Sequence, residues 1–314
     1  MIYISTDEVK RLVNIQDAID SLEASFVHWS DKATANLPRR RLRVDNAGLN
    51  VMAGAIPGSD YFGYRAYLPK IGYNALILLS LKEKAPVAMI DLNWASTTRT
   101  GAATGVATKR MARADAKILA VIGTGRQSPD QIRAIALVRK LDRIVVFSRD
   151  AAKRDSFAKK IQDELGITTV GAVSAEACVD GADIIVTATN ATAPVLKGAW
   201  LKPGMHVNGI GANGLDRIEL DEDCVLRADQ IVTDQVEQAK IEASALVNLA
   251  DKGKLDWSKI VELGDIVEGT IATRTSPGQI TLFHSLGIAF EDVAFGAMIY
   301  ERAKAAGLGQ KMPN

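Results

Sequence analysis

Apolar positions along the chain change their period near Lys117, and the change divides it in two. Ahead of it, Asp7 to Trp29 carries Val9, Leu12, Val13, Ala18, Ile19, Leu22 and Phe26 at helical spacing and predicts one helix. Leu37 to Lys84 reads as short strands with glycine-containing turns: RLRVDNAGLNVMAGAIPG, YFGYRAYLP and NALILLSLKEKAPVAMIDL. A second helix, Ser96–Arg113, is rich in Ala, Thr and Gly, side chains small enough for close packing. KILAVIG is then a continuous apolar run, as expected of a parallel strand covered on both faces. Pro129 suits the first position of the next helix. RIVVFS is a second strand and Ala151–Leu165 a second helix; TTVGAV, ADIIVTAT, MHVNGIG and DQIVTD continue the strands. Glu291–Ala306 is expected as one amphipathic helix. Strands alternating with helices give a doubly wound parallel sheet. The fold class is therefore α/β: a Rossmann domain over 116–288, preceded by an α+β domain over 1–115. The tail, 289–314, is expected to fold back onto that first domain and make it discontinuous.

Size and charge narrow the function classes. At ~150 residues per domain, 314 residues fit two domains. A net charge of +1 gives no global basic field, so neither nucleic acid nor a membrane surface is expected as a partner. No apolar run reaches the ~18–20 residues that span a bilayer. Asp7 and Glu8 stand where a signal peptide would be apolar. Cys178 and Cys224 form no disulfide framework and no metal-ligand spacing, and read as buried core residues. The cytoplasm is the expected compartment, and no metal is expected.

The motif with most chemistry is Val121-Ile122-Gly123-Thr124-Gly125-Arg126-Gln127-Ser128-Pro129, after an apolar strand and before a helix. Gly123 permits a tight turn, Gly125 lets a pyrophosphate approach the backbone, and the helix N-terminus offers N–H groups and a positive dipole end. Ser128 stands where the third glycine of the usual fingerprint would be. The competing reading is a tight turn with no ligand. After the second strand comes Phe147-Ser148-Arg149-Asp150. Arg149 can pair with a 2′-phosphate and Ser148 can donate to it, which favours NADP, with NAD as the alternative. Asp150 reads as the cap of the following helix.

Pro38-Arg39-Arg40-Arg41-Leu42-Arg43 is either a charged strand edge or a carboxylate clamp. As alternate strand residues, Arg39, Arg41 and Arg43 are expected to project together. Arg99, near the start of the Ala-rich helix, is a second clamp candidate. His28, His206 and His284 share no metal or relay spacing and read as structural, His28 on a helix face.

Taken together, LNVMAGAIPG, FGYRAY, DLNWASTTRTGAATGVATKRMAR, GTGRQS, GADIIVTAT, HVNGIGAN and TLFHSLGIAFEDVAFG resemble the ornithine cyclodeaminase/μ-crystallin family over almost the whole chain. The resemblance implies an NAD(P)-dependent ketimine reductase, amino-acid dehydrogenase or cyclodeaminase. It implies a homodimer joined through the first domain, which binds the substrate. By motif, Arg99 would bind the substrate carboxylate, helped by Arg39 or Arg41. Gly123, Thr124, Gly125, Arg126, Gln127 and Ser128 would form the pyrophosphate loop. Ser148 and Arg149 would contact the adenosine ribose or its phosphate, and Thr187 and Thr189 would line the cofactor cleft. Gly209, Gly211 and Asn213, with Ser285 to Gly287, would lie around the nicotinamide.

Two departures from the family pattern fall at expected catalytic positions. Arg65 replaces the lysine of FGxK, and an arginine, always protonated, is a poor general acid or base. Asn213 replaces the acid found in cyclodeaminases, and an amide does not shuttle protons. Both favour simple reduction of a small 2-imino acid, or its reverse. A cyclodeaminase and a non-catalytic NADPH- and ligand-binding protein are the alternatives. Arg65 also permits recognition of a second anionic group, so that a dicarboxylate imine becomes a candidate substrate.

Overall fold

The computed structural model describes residues 1–27, 29–31 and 36–313. His28 therefore lies outside the described residues. The chain divides into two compact units, Met1–Ala103 with Gly287–Asn314, and Thr104–Leu286.

The first unit begins with β1 (Ile2–Ile4), too short to register as a sequence pattern. Asp7–Trp29 is two helices, α1 (Thr6–Leu12) and α2 (Ile15–Phe26), where one was expected. Asn14 causes the break. Its Oδ1 accepts from the Asp17 N–H at 3.1 Å, while its own N–H donates to the Asp17 carboxylate at 2.9 Å. β2 (Asn36–Val44), β3 (Ala47–Ala55), β4 (Tyr61–Leu68), β5 (Tyr73–Ser80) and β6 (Ala85–Asp91) follow as an antiparallel meander. β1 pairs parallel with β6, and the short strand Gln310–Lys311 closes that edge.

The C-terminal helix, Ala289–Ala305, packs on this sheet. Glycines set the distance: a Cβ on Gly54 would lie 2.6 Å from the Phe290 backbone nitrogen, and one on Gly63 2.9 Å from Val293 Cγ2. The helix is not amphipathic over its first half, since Ala289 to Ala297 are all buried.

In the second unit, β7 (Ile118–Ile122), β8 (Arg143–Phe147), β9 (Thr168–Gly171), β10 (Ile184–Thr187), β11 (His206–Gly209), β12 (Gln230–Thr233), β13 (Ile260–Glu262) and β14 (Thr281–His284) form one parallel sheet. The last two were not expected as strands. Apolar clusters cover both faces, with Ala120, Ile185 and Val207 on one and Leu119, Val121, Ile144 and Val186 on the other. That burial explains the uninterrupted apolar runs. The order β13-β12-β14-β11-β10-β7-β8-β9 reverses direction between β7 and β10. A ligand crevice belongs at the carboxyl ends of strands at such a switch point.

The helix Ala95–Met111 is α3; Ser128–Val138 is α4, with Pro129 in its first turn, and Ala151–Leu165 is α5. Cys178 and Cys224 are buried free thiols, as expected, and burial pushes Cys178 up to about 12. Among the described residues no helix is long and apolar enough to cross a membrane.

Candidate active site

Gly123 ends β7 in a turn that only glycine can make. Its φ is +109°, and a Cβ there would lie 2.4 Å from the Ala188 carbonyl oxygen. Gly125 is different: a Cβ would meet nothing nearer than that same oxygen at 3.9 Å, so the fold itself leaves room above it. The α4 N-terminus carries no side-chain cap. Room over Gly125 and uncapped N–H groups together fit a diphosphate. Thr124 and Gln127 are half-buried and Arg126 is exposed. The Ser128 hydroxyl is turned inward, donating to the Gly123 carbonyl at 2.8 Å. After β8, Ser148 is half-buried and Arg149 exposed. Asp150 caps α5 as expected, its Oδ1 accepting from the Lys153 N–H at 3.0 Å.

A buried acid that sequence reasoning missed ties the next two loops together. Glu219 accepts from Thr187 Oγ1 at 2.9 Å, Thr189 N–H at 2.6 Å, Thr189 Oγ1 at 2.7 Å and Gly211 N–H at 2.6 Å. Burial pushes its carboxyl up, against the pull of these donors. Both threonine hydroxyls are thus directed at Glu219. Gly211 is glycine for a packing reason, because a Cβ would lie 2.0 Å from the Thr189 carbonyl oxygen. Gly209 is buried and Asn213 half-buried. Asp234, at the end of β12, does a similar job. It accepts from the Leu286 N–H and from Ser285 Oγ, the latter at 3.4 Å.

In the first unit, arginines and acids make a buried cluster. Arg65 Nη1 lies 3.2 Å from both Asp292 carboxylate oxygens, and its Nε donates to Asn74 Oδ1 at 2.9 Å. Its guanidinium sits 4.6 Å from the centroid of the Tyr67 ring. Arg99 Nε donates to Asp292 Oδ1 at 2.6 Å, and its Nη1 to Glu291 Oε2 at 3.0 Å. Burial alone would raise the Asp292 carboxyl, but Arg65 and Arg99 outweigh it and hold it below the ordinary range. Burial pushes Arg65 down and Asp292 pushes it back up. Gly287, at φ +71°, lies against Arg99: a Cβ there would be 2.4 Å from Nη1.

The arginine run does not act as a unit. A bulge between Leu37 and Arg40 inserts an extra residue in β2, but the register from Arg40 to Val44 is regular, so Arg41 and Arg43 alternate as expected and the arginines differ in depth instead. Arg39 is buried and its Nη2 donates to the Gly287 carbonyl at 2.8 Å; Arg41 is half-buried, Arg40 and Arg43 exposed. The sequence signal for the acids was present in AFEDVAF, where two adjacent carboxylates interrupt an apolar run. Glu219 carries no such signal, since it lies in the acid-rich stretch DRIELDED.

His206 is buried, its ring nitrogens 2.9 Å from Thr281 Oγ1 and 3.2 Å from Asn208 Oδ1. His284 is also buried. Among the described residues no group of three His, Cys, Asp or Glu side chains could hold a metal ion.

Comparison with known proteins places this geometry. The chain is 32% identical to a Δ1-pyrroline-2-carboxylate reductase of Bacillus cereus, over 99% of each chain. The structure of the Thermococcus litoralis Δ1-pyrroline-2-carboxylate reductase with NADH and L-proline superimposes with a TM-score of 0.93 at 30% identity, covering 99% of this chain and 100% of that one. An archaeal alanine dehydrogenase dimer with bound NAD gives a TM-score of 0.92 at 28% identity, covering 100% and 99%. The model of the ornithine cyclodeaminase/mu-crystallin family matches residues 2–307, and the chain belongs to that family.

Proposed function

We propose that this protein is an NAD(P)H-dependent reductase of a small 2-imino acid, running in reverse as an amino-acid dehydrogenase. The observation that carries this is the locking of Arg65 and Arg99 onto Asp292. These are fixed cations that orient an anion but move no proton. Cyclodeamination needs a proton carrier at the departing nitrogen; reduction of an iminium does not. The carbon of a protonated imine is already electrophilic, and when bound the reduced nicotinamide supplies the hydride.

The chain's own residues have three tasks. Gly123 to Ser128 and the α4 N-terminus bind the diphosphate. Arg99 and Arg39, with Arg65 beside them, draw the substrate carboxylate, which sets the orientation of the C=N bond. Glu219 and Asp234 keep the loops after β10, β11 and β14 in one conformation. We assign dinucleotide binding to 104–286, and substrate binding and dimerisation to 1–103 with 287–314. Asp292 and Glu291 offset two of the three positive charges of Arg39, Arg65 and Arg99, which supports a substrate with one carboxylate over a dicarboxylate. Steady-state rates with matched mono- and dicarboxylate imino acids separate the two.

The test is oxidation of NADPH or NADH, followed by absorbance, over cyclic and linear 2-imino acids. Turnover with one of them is expected. Ammonia release from ornithine without net cofactor consumption would instead establish a cyclodeaminase, and binding without turnover a carrier. NADPH is the expected cofactor, because Arg149 is free to meet a 2′-phosphate while Asp150 is committed to capping α5. Arg149→Asp should shift preference toward NADH at least about tenfold; unchanged selectivity would remove Arg149 from the account. Two buried thiols suit a reducing compartment, and we place the protein in the cytoplasm.

The expected partner is a second copy. The sheet of the first unit exposes Leu37, Leu42, Phe62 and Tyr64, and strand register puts Leu37, Ala53, Tyr64 and Ile77 in one row across β2 to β5. An apolar sheet face of this kind marks an interaction surface, and the similar alanine dehydrogenase is a dimer.

A further inference from the structure

The cluster of arginines and acids in the first unit is not closed evenly. The Asp292 and Glu291 side chains have no exposed surface, whereas those of Arg65 and Arg99 keep 7% and 4%. What these four side chains show to the outside is therefore guanidinium, which donates hydrogen bonds and accepts none. Arg65 spends Nε on Asn74 and Nη1 on Asp292, and its Nη2 has no hydrogen-bond partner among the described residues. Such an edge suits a carboxylate. It does not suit the other end of a protonated 2-imino acid, whose N–H carries positive charge right beside that carboxylate and needs an acceptor.

Tyr67 stands at that edge. It follows Arg65 at the next alternate position of β4, so both project from the face on which the C-terminal helix packs, the face of Gly63. Its neighbours in register are Asn50 and Asn74, and the Arg65 guanidinium lies over its ring, 4.6 Å from the centroid. Tyr67 is half-buried, and among the described residues its hydroxyl has no hydrogen-bond partner. Stacking on Arg65 requires the ring alone, and phenylalanine would serve it equally. The hydroxyl adds what the arginines lack. It is an uncharged oxygen able to accept, and it is fixed to a ring that is itself held against Arg65.

We propose that Tyr67 is a substrate-contacting residue: with the substrate carboxylate on Arg65, the Tyr67 hydroxyl oxygen accepts the hydrogen bond of the iminium N–H. No proton is transferred in this contact. It lets the site select a nitrogen next to the carboxylate without exposing an acid, which would compete with the substrate for the arginines. The proposal rests on the reductase reading above.

The deciding variant is Tyr67→Phe, which keeps the ring on Arg65 and removes the hydroxyl. Its unfolding midpoint and its Kd for the reduced dinucleotide should match those of the unsubstituted protein. Its kcat/KM should fall about tenfold or more for whichever is turned over, the five-membered cyclic 2-imino acid or 2-iminopropanoate. The probes for the carboxylate alone are the same skeletons with carbon in place of nitrogen, cyclopent-1-ene-1-carboxylate and methacrylate. Their inhibition constants should change by no more than about twofold. A loss confined to the nitrogen-bearing acid is a change that a packing role does not produce. Equal losses for both kinds of acid, or none for the imino acid, overturn the proposal. Tyr67→Leu, which removes the ring as well, should weaken both kinds together, because Arg65 then loses its stack; it also shows whether the position tolerates substitution. If the unsubstituted protein reduces no imino acid, the reductase reading falls and takes the proposal with it; if it turns over and Tyr67→Phe matches it, only Tyr67 falls.

Discussion

Single side chains in this protein divide into those whose role a sequence displays and those whose role depends on burial. His206 and His284 are of the second kind. Burial pushes them down to about 3 and about 4. Folded, both stay neutral well below pH 6, whereas the unfolded imidazoles take up protons below about 6.5. The unfolded state then binds more protons, so stability falls as pH falls through the window from about 6.5 to 4. Each histidine contributes a slope of roughly 1.4 kcal/mol per pH unit there. Urea titrations at pH 6.0 and 5.0 measure it, and His284→Gln should remove about half of the histidine share; an unaltered slope would refute the assignment. Gly123, Gly125 and the Asp150 cap were legible because local geometry alone dictates them. Glu219 and Asp234 were not, because the partners of these carboxylates come from further along the chain: Asp234 and Ser285 stand 51 positions apart.

Among elements, the strand–turn–helix of β7 and α4 and the C-terminal helix on its sheet use glycine for opposite ends. Gly54→Ala would drive a methyl group into the backbone of Phe290, which cannot step aside. We expect a loss of about 1–3 kcal/mol or more, read as a lower unfolding midpoint. Gly125→Ala would meet only the Ala188 carbonyl oxygen, at an unstrained 3.9 Å, so the midpoint should hold while dinucleotide affinity falls about tenfold or more. An affinity unchanged by that methyl group would mean the diphosphate lies elsewhere. Most elements were readable from period and punctuation. Failures had local causes: β1 and β13 span only three residues each, and Asn14 caps a helix inside a longer apolar pattern.

For the whole molecule, the exposed sheet face predicts self-association. Tyr64→Lys and Phe62→Asp together should convert a dimer to a monomer in light scattering after size exclusion, with the dinucleotide Kd little changed; a dimer that survives both changes must use another surface. The order of the chain has its own consequence. The unit 104–286 is one uninterrupted stretch, whereas the arginine cluster needs residues on both sides of it. At about 5–20 residues per second on the ribosome, the wait between Arg99 and Asp292 is on the order of 10 s. During it the nascent chain holds Arg65 and Arg99 without their shared counterion, and the glycine-lined sheet without its covering helix. A chain released at residue 286 should therefore retain a protease-resistant core that binds the dinucleotide, while its first hundred residues are digested. On the proposed roles, the substrate-binding cluster is completed last in synthesis, and a stop between residues 286 and 291 should yield a protein able to hold cofactor but not to use it.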